Sequence, residues 1–250
     1  MEAPDWWDAK TYERLELPHL RWGNDLLAKC QVDEAATVLE IGCRTGRDTE
    51  KLAKRVPLGR VVAVDSSESM LAVARSVLGG TYGNIEFRHA NILDPLGIDG
   101  SCDVAFSVAT LHWVSDHEVA FRHIAEALKP GGLFLADCGG KGNIESVNEV
   151  VRSLCGPSDA FDVSHFEDAS KTETRLVAAG FKIREVRLFK DPARFDSPEL
   201  FKTFLATVVL GPHLAGLGVT DRDELLSEIV KRMPEFTVDY VRLRIDAVKL

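Results

Sequence analysis

The stretch Val38-Leu39-Glu40-Ile41-Gly42-Cys43-Arg44-Thr45-Gly46 is an apolar run that ends in an acid and passes into a turn bearing two glycines. Gly42 and Gly46 permit positive φ and close backbone approach, and a helix starting there would offer unpaired N–H groups. The turn is either an ordinary tight strand-to-helix connection or a cradle for a small polar ligand. Asp65 bears on that choice. It follows a second apolar run about twenty residues on, where a doubly wound fold places a carboxylate that accepts from ribose hydroxyls. Its alternative role is to cap the next helix, a task open to Ser66 or Ser67. The spacing Gly-x-x-x-Gly, with Arg44 between, departs from the Gly-x-Gly-x-x-Gly that seats a pyrophosphate. A nucleoside without a pyrophosphate is the ligand such a turn suits.

Other reactive residue types are less organised. His112 is the one candidate base, for an acceptor that must lose a proton, and it could equally be a core residue. Cys43 has no identifiable base beside it. His112, His117 and His123 do not fall one helical turn apart and no Cys or acid completes a set, so no metal site is expected.

These residues need a scaffold. From Thr37 onward, short β-branched runs alternate with amphipathic stretches, the rhythm of a parallel sheet. It predicts strands at Thr37–Ile41, Arg60–Val64, Ile85–Arg88, Asp103–Val108 and Leu133–Cys138. Helices are expected at about Asp48–Arg55, Ser67–Leu78, His117–Leu128, Ile144–Leu154 and Ser170–Ala179. Lys129-Pro130-Gly131-Gly132 should stop the third of these and turn the chain into its strand. The strictly alternating runs Phe181–Leu188 and Val238–Val248, each with one buried and one wet face, predict an antiparallel pair at one sheet edge. The fold expected is α/β, a Rossmann-like doubly wound, mostly parallel seven-stranded sheet with an antiparallel carboxyl-terminal edge hairpin and a helical cap. One domain, 1–250, divides into a cap at 1–30, broken near Pro18, a cofactor-binding core at 31–190, a helical insertion at 191–236 and a last strand at 237–250. Within the insertion, Ser197-Pro198-Glu199 begins one helix with an N-cap serine and a proline at its first position, and about Asp223–Met233 makes another.

Composition narrows the partners. The 250 residues carry a formal net charge of -9, which disfavours a partner bound by neutralising phosphates, so no nucleic acid is expected. Five scattered cysteines without a Cys-x-x-Cys pair suggest reduced thiols and a cytoplasmic protein. No run approaches 18 apolar residues, so no membrane span is expected.

Taken in order, Glu40 to Gly46, Asp65, His89-Ala90-Asn91-Ile92, Asp103-Val104-Ala105-Phe106-Ser107 and Leu128-Lys129-Pro130-Gly131-Gly132 resemble the ordered motifs of class I S-adenosylmethionine-dependent methyltransferases. The resemblance spans about Thr37 to Cys138. It implies S-adenosyl-L-methionine as cofactor and methyl transfer to a small molecule. By the same resemblance Gly42, within the turn of Cys43 and Gly46, lies against the methionine part, with Glu40 organising the turn. Asp65 meets the ribose, with Ser66 next to it among the cofactor contacts; Asn91 and Ile92 meet the adenine, and the Ser107 backbone the methionine amine. Relatives most often carry Gly where Arg44 stands, so this side chain must point away from the cofactor or cover it.

The Trp7 to Tyr12 spacing, Leu111-His112-Trp113-Val114 and the helices from Ser197 through Gly218 more weakly resemble the trans-aconitate and juvenile hormone acid methyltransferases. That likeness implies esterification of a carboxylic acid, here expected to be small and largely apolar, with C- or N-methylation or a non-catalytic cofactor-binding subunit as alternatives. Tyr12, His19, Arg21, Trp22, His112, Trp113 and Phe204 are the expected acceptor contacts. A monomer or homodimer is expected.

Overall fold

The computed structural model describes residues 8–15, 18–98, 100–156, 164–215, 217–233 and 235–250. Trp6 and Trp7, with which the cap helix and the Trp7 to Tyr12 spacing were expected to begin, lie outside the described residues.

The elements run α1 (Ala9–Arg14), α2 (Pro18–Lys29), β1 (Thr37–Ile41), α3 (Arg47–Arg55), β2 (Arg60–Asp65), α4 (Glu68–Leu78), β3 (Ile85–His89), β4 (Cys102–Val108), α5 (His117–Ala127), β5 (Leu128–Gly139), α6 (Glu145–Cys155), α7 (Ala169–Ala178) and β6 (Phe181–Lys190). A short strand β7 (Ala193–Arg194), α8 (Pro198–Phe204), a π-helical turn at Leu205–Val209, α9 (Gly211–Leu214), α10 (Val219–Arg232), β8 (Thr237–Val238) and β9 (Val241–Lys249) complete the chain.

Seven strands form one sheet in the order β3-β2-β1-β4-β5-β9-β6. The first five are parallel, and β9 runs antiparallel between β5 and β6. The two alternating runs therefore pair as expected, with β6 outermost. The loop expected at Lys129–Gly132 is instead the start of β5, whose register with β4 shifts between Cys102 and Val104, and Gly131 takes φ +80 there. A separate ribbon of β7 and β8, invisible in the sequence because each arm has two residues, ties down both ends of the helical insertion.

Side chains alternate across the central strands and feed two cores. Val38, Val61, Ala63, Val104, Phe106 and Leu135 face one way and pack with Leu26, Leu52 and Val147, in a cluster that also takes in Phe201, Phe204 and Ile229. Leu39, Val62, Ala105, Phe134 and Ala136 face the other way, against Phe121, Ile124 and Leu176. The insertion is thus continuous with the core on the same side of the sheet as α2 and α3.

Caps explain where helices start. Ser67 Oγ accepts from the Met70 N–H to open α4, Asp116 Oδ1 accepts from the N–H groups of Glu118 and Val119 to open α5, and Ser197 Oγ accepts from the Leu200 N–H with Pro198 in the first turn of α8. Because Ser67 caps α4, Asp65 is not needed for that role. No helix among the described residues is long and apolar enough to cross a membrane.

Candidate active site

A cavity of about 390 Å³ lies at the carboxyl ends of β1, β2 and β4, the crevice where the strand order reverses. Tyr12, His19 and Trp22 from the amino-terminal helices and Val208 and Val209 from the π turn close it over.

One half is lined by Gly42, Asp65, Ser66, Met70, Asn91 and Ile92. The turn after β1 is pinned to β2, since the N–H groups of Gly42 and Cys43 both donate to Val64 O at 2.8 and 3.0 Å. Gly42 and Gly46 take φ +75 and +91, and Arg44 between them takes φ +53. Asp65, at the end of β2, accepts from the Arg44 N–H at 2.7 Å and from the Ser67 N–H at 2.9 Å. A carboxylate with about four acceptor sites can take ligand hydroxyls beside such backbone bonds. Asn91 Oδ1 accepts from the Leu93 N–H at 3.0 Å, which fixes the amide's orientation, and Ile92 O is held by His123 Nδ1 at 2.8 Å. The Ile92 N–H makes no hydrogen bond among the described residues. A buried acid, a loose backbone donor and a glycine turn together fit an adenosine carrying a short chain.

Asp65→Ala is accordingly expected to weaken S-adenosylhomocysteine binding roughly tenfold or more, since hydrogen bonds to a charged acceptor contribute about 1.5–3 kcal/mol each. Calorimetric titration of the folded variant checks this, and an unchanged dissociation constant removes the assigned role.

The other half is lined by Tyr12, His19, Trp22, His112, Trp113 and Phe166, with Asn143, Tyr240 and Arg242 beneath. His19 stacks on Tyr12 with ring centroids 5.6 Å apart and tilts against Trp22 at 5.6 Å. His112 stacks on Phe166 with ring centroids 5.7 Å apart and planes inclined by 25°. Burial holds both imidazoles well below the usual histidine range, and the charges of Arg44 and Arg242 push each the same way. His112 Nδ1 accepts from the Gly139 N–H at 3.2 Å. A neutral imidazole that accepts at Nδ1 carries its hydrogen on Nε2. His112 is therefore a donor at Nε2, contrary to its expected use as a base.

Arg44 also borders the cavity, and its guanidinium is drawn to α3, with Nη2 donating to Asp48 Oδ2 at 3.1 Å. It neither points wholly away nor lies open, being held at the rim by an acid one helical turn on.

Several expected contacts stand elsewhere. Glu40 is buried behind the turn, outside the cavity lining, and burial first, then the Asp48 charge, pushes its carboxyl up to about 8. Cys43 is buried with its thiol pushed up by desolvation, and Gly46 is the residue preceding α3; neither lines the cavity. Ser107 lies inside β4, which continues to Val108, and its Oγ donates to Ile41 O at 2.9 Å, so Ala109 and Thr110 reach the cavity in its place. Arg21 faces solvent and pairs with Asp191 at 2.7 Å. Phe204 packs on Phe195, ring centroids 4.6 Å apart, within the core. The following π turn rotates Val208 and Val209, not Phe204, to the wall.

Sequence reasoning missed Asn143, Phe166, Tyr240 and above all Arg242. The alternation of β9 assigned Arg242 and Arg244 to a wet face, but α2 covers that face and both guanidiniums are buried. Two arginines at alternate positions, with Asp137 near the end of another strand, were the available signal. Among the described residues no cluster of metal-ligating side chains occurs. His117 Nε2 and His123 Nδ1 each bond a backbone carbonyl.

Comparison with known proteins agrees with this geometry. Residues 38–132 match the family described as a methyltransferase domain. A trans-aconitate 2-methyltransferase of Variovorax paradoxus is 38% identical over 127 residues, 51% of this chain and 48% of that one. Its counterpart from Azoarcus sp. is 34% identical over 151 residues, 60% of this chain and 57% of the relative. The chain spans about half the length of the curated relatives it matches. In fold it is similar to the YcgJ protein of Bacillus subtilis, with TM-score 0.66, 18% identity and 92% and 99% of the two chains covered. Geranyl diphosphate C-methyltransferase of Streptomyces coelicolor, solved with S-adenosyl-L-homocysteine, gives TM-score 0.61, 13% identity and coverage of 96% and 84%. The glycine turn, the buried acid ending β2, the seven-stranded sheet and the matched domain agree on one conclusion: residues 38–132 form a methyltransferase domain, and the chain is similar in sequence and fold to S-adenosylmethionine-dependent methyltransferases.

Proposed function

We propose that the protein methylates a carboxylate oxygen of a small organic acid, releasing the methyl ester. The observation that carries this reading is the tautomer of His112. The cavity's acceptor half holds hydrogen-bond donors and no effective general base, since burial makes both of its imidazoles poor at taking up a proton. His112 offers Nε2–H, His19 is kept neutral by burial, and the Tyr12 hydroxyl is pushed up to about 12 by desolvation. Asp65 is the one carboxylate among the described lining residues, and it stands in the nucleoside half. A carbon or phenol acceptor would require proton removal, whereas a carboxylate is ionised at neutral pH and needs none.

S-adenosylmethionine, when bound, would supply an electrophilic methyl group to the acceptor oxygen, with the bonding pair left on sulfur. Asp65, Asn91 and Ile92 would hold the adenosine, and Gly42 would border the methionine chain. The aromatic wall of Tyr12, Trp22, His112 and Phe166 excludes water and fixes the acceptor, and orientation of this kind can supply about 7–11 kcal/mol. The trans-aconitate methyltransferase names of the relatives support an acid acceptor, with trans-aconitate itself the first to try. A small molecule is the partner this cavity suits.

The test incubates the protein with labelled cofactor and a panel of tricarboxylic, fatty and terpenoid acids beside indoles, phenols and amines. Label on an acid that mild base removes is expected, with a rate that does not fall through the histidine range as pH drops from 7 to 5. Base-stable label appearing only with indoles, phenols or amines would overturn the reading in favour of C- or N-methylation. Cofactor binding without turnover of any acceptor would favour the non-catalytic alternative.

A further inference from the structure

β9 crosses the sheet between β5 and β6, and its first residues lie beside the carboxyl end of β5, with Arg242 opposite Gly139 and Arg244 opposite Asp137. Asp137 is fully buried and serves two cations. Its Oδ1 accepts from Arg242 Nε at 2.9 Å, its Oδ2 accepts from Arg244 Nε and Nη2 at 2.9 and 2.8 Å, and its backbone carbonyl takes Arg242 Nη2 at 3.2 Å. One carboxylate between two guanidiniums leaves a buried excess of one positive charge. Burying a charge without a full partner is costly, and a fold that holds one has an anion to receive there.

Of the two arginines, Arg242 borders the cavity and Arg244 does not. Arg242 is 1% exposed, its guanidinium carbon lies 3.6 Å from the Trp22 ring centre, and its Nη1 donates to no described residue. The base of the side chain is also far from the nucleoside crevice. β9 is the third strand beyond β1, whose end carries Gly42, and strands lie about 4.8 Å apart, which places the two roughly 14 Å apart across the sheet. His19 and His112 line the same cavity, and the charges of Arg44 and Arg242 depress both.

We infer that Arg242 is a specificity-determining residue: its Nη1 edge holds an anionic group of the acceptor other than the one methylated, and Arg244, by sharing Asp137, keeps it uncompensated. A guanidinium on the reacting carboxylate would occupy the lone pairs that must attack, so the anchored group is a second one. The fork of Nη1 and Nη2 suits a planar carboxylate, and the Trp22 face fixes its plane. This rests on the acid-methylating reading above, and adds the residue that would make a second carboxylate matter.

The experiment measures binding, without turnover, to the protein saturated with S-adenosylhomocysteine. The probes are trans-aconitate and glutarate, and glutaramate, in which one carboxylate of glutarate is a neutral amide of the same shape. The wild type should prefer glutarate to glutaramate by tenfold or more. Arg242→Gln should abolish that preference and Arg242→Lys should retain a part of it, with trans-aconitate weakened in the same order. Arg244→Met, altered outside the cavity, should reduce the preference several-fold, because Asp137 then neutralises Arg242; a merely structural role for Arg244 would leave the ratio unmoved. S-adenosylhomocysteine affinity within twofold of wild type certifies each variant's fold, and the Lys variant decides the matter if the Gln variant fails that check. No preference in the wild type, or a preference that survives in Arg242→Gln, or in Arg242→Lys undiminished, overturns the inference. Ester formation with an Arg242-independent preference would sink this inference alone, and an Arg242-dependent preference with base-stable label would sink the acid-methylating reading alone.

Discussion

Gly42→Ala is expected to lower affinity for S-adenosylhomocysteine by well over tenfold while leaving most of the fold in place. Two independent costs combine at this residue. Its φ is +75, a conformation that costs an L-residue about 1–2 kcal/mol. An added Cβ would also fall inside van der Waals distance of Thr110 Oγ1 and Cγ2 and lie 2.6 Å from Thr110 Cβ. Thr110 cannot simply rotate away, since its hydroxyl donates to Val108 O at 3.0 Å at the end of β4. The turn must move instead, and it carries the Arg44 N–H that holds Asp65 at 2.7 Å. One methyl group therefore disturbs both the glycine turn and Asp65, the two features proposed above to hold the cofactor. The measurement is titration of the variant together with its melting curve. Combining it with Thr110→Gly, which deletes all three contacting atoms, should recover the steric part and leave the φ cost, so the double variant should bind more tightly than Gly42→Ala. An unchanged dissociation constant in the single variant, or no recovery in the double, would show that the crowding at Thr110 does not govern the turn.

The part of the cavity built on Gly42 and Asp65 was legible in position because its determinants are local. A strand, a glycine turn and an acid ending the next strand lie within one stretch of chain, and backbone geometry converts their spacing into position without help from the rest of the fold. Ser107 missed the cavity by the length of β4: the strand runs to Val108, and the side chain of Ser107 is spent on Ile41 O. The acceptor half is assembled from α1, α2, β9 and segments far apart in sequence, and what decides each residue's role there is which face another element covers. Arg242 reads as a wet position on an alternating strand until α2 is laid over it. Phe204 reads as a wall residue until the helix becomes π-helical at Leu205, which advances the cavity-facing side to Val208 and Val209. His112 was identified as a cavity residue, but its role depended on the Gly139 N–H, which belongs to a strand 27 residues away.

Glu40 should make the ligand-free protein lose stability as pH rises, and Glu40→Gln should remove that dependence. The carboxyl is 2% exposed, Oε2 has no hydrogen-bond partner, and burial together with Asp48 raises it from the ordinary 4.5 to about 8. The sign follows from proton counting. Between those two values the unfolded chain has released this proton while the folded protein retains it, so raising pH favours unfolding. The contribution present below about 4.5 is lost progressively up to about 8, with a limiting slope near 1.4 kcal/mol per pH unit. The nearby charge of Arg44 lowers the carboxyl and Asp65 raises it, so the slope belongs to the cluster as much as to Glu40. Replacing the acid with the isosteric amide leaves nothing to ionise. Urea unfolding at pH 5 and pH 8 should show the wild type clearly weaker at the higher pH, and Glu40→Gln less affected, so that the variant overtakes the wild type at pH 8. Equal pH dependence in both proteins would mean that Glu40 is charged in the folded state, balanced by the Arg44 guanidinium whose Nη1 is likewise buried without a partner. In that case Glu40→Gln should destabilise the protein at both pH values, as removal of one member of a buried charge pair does.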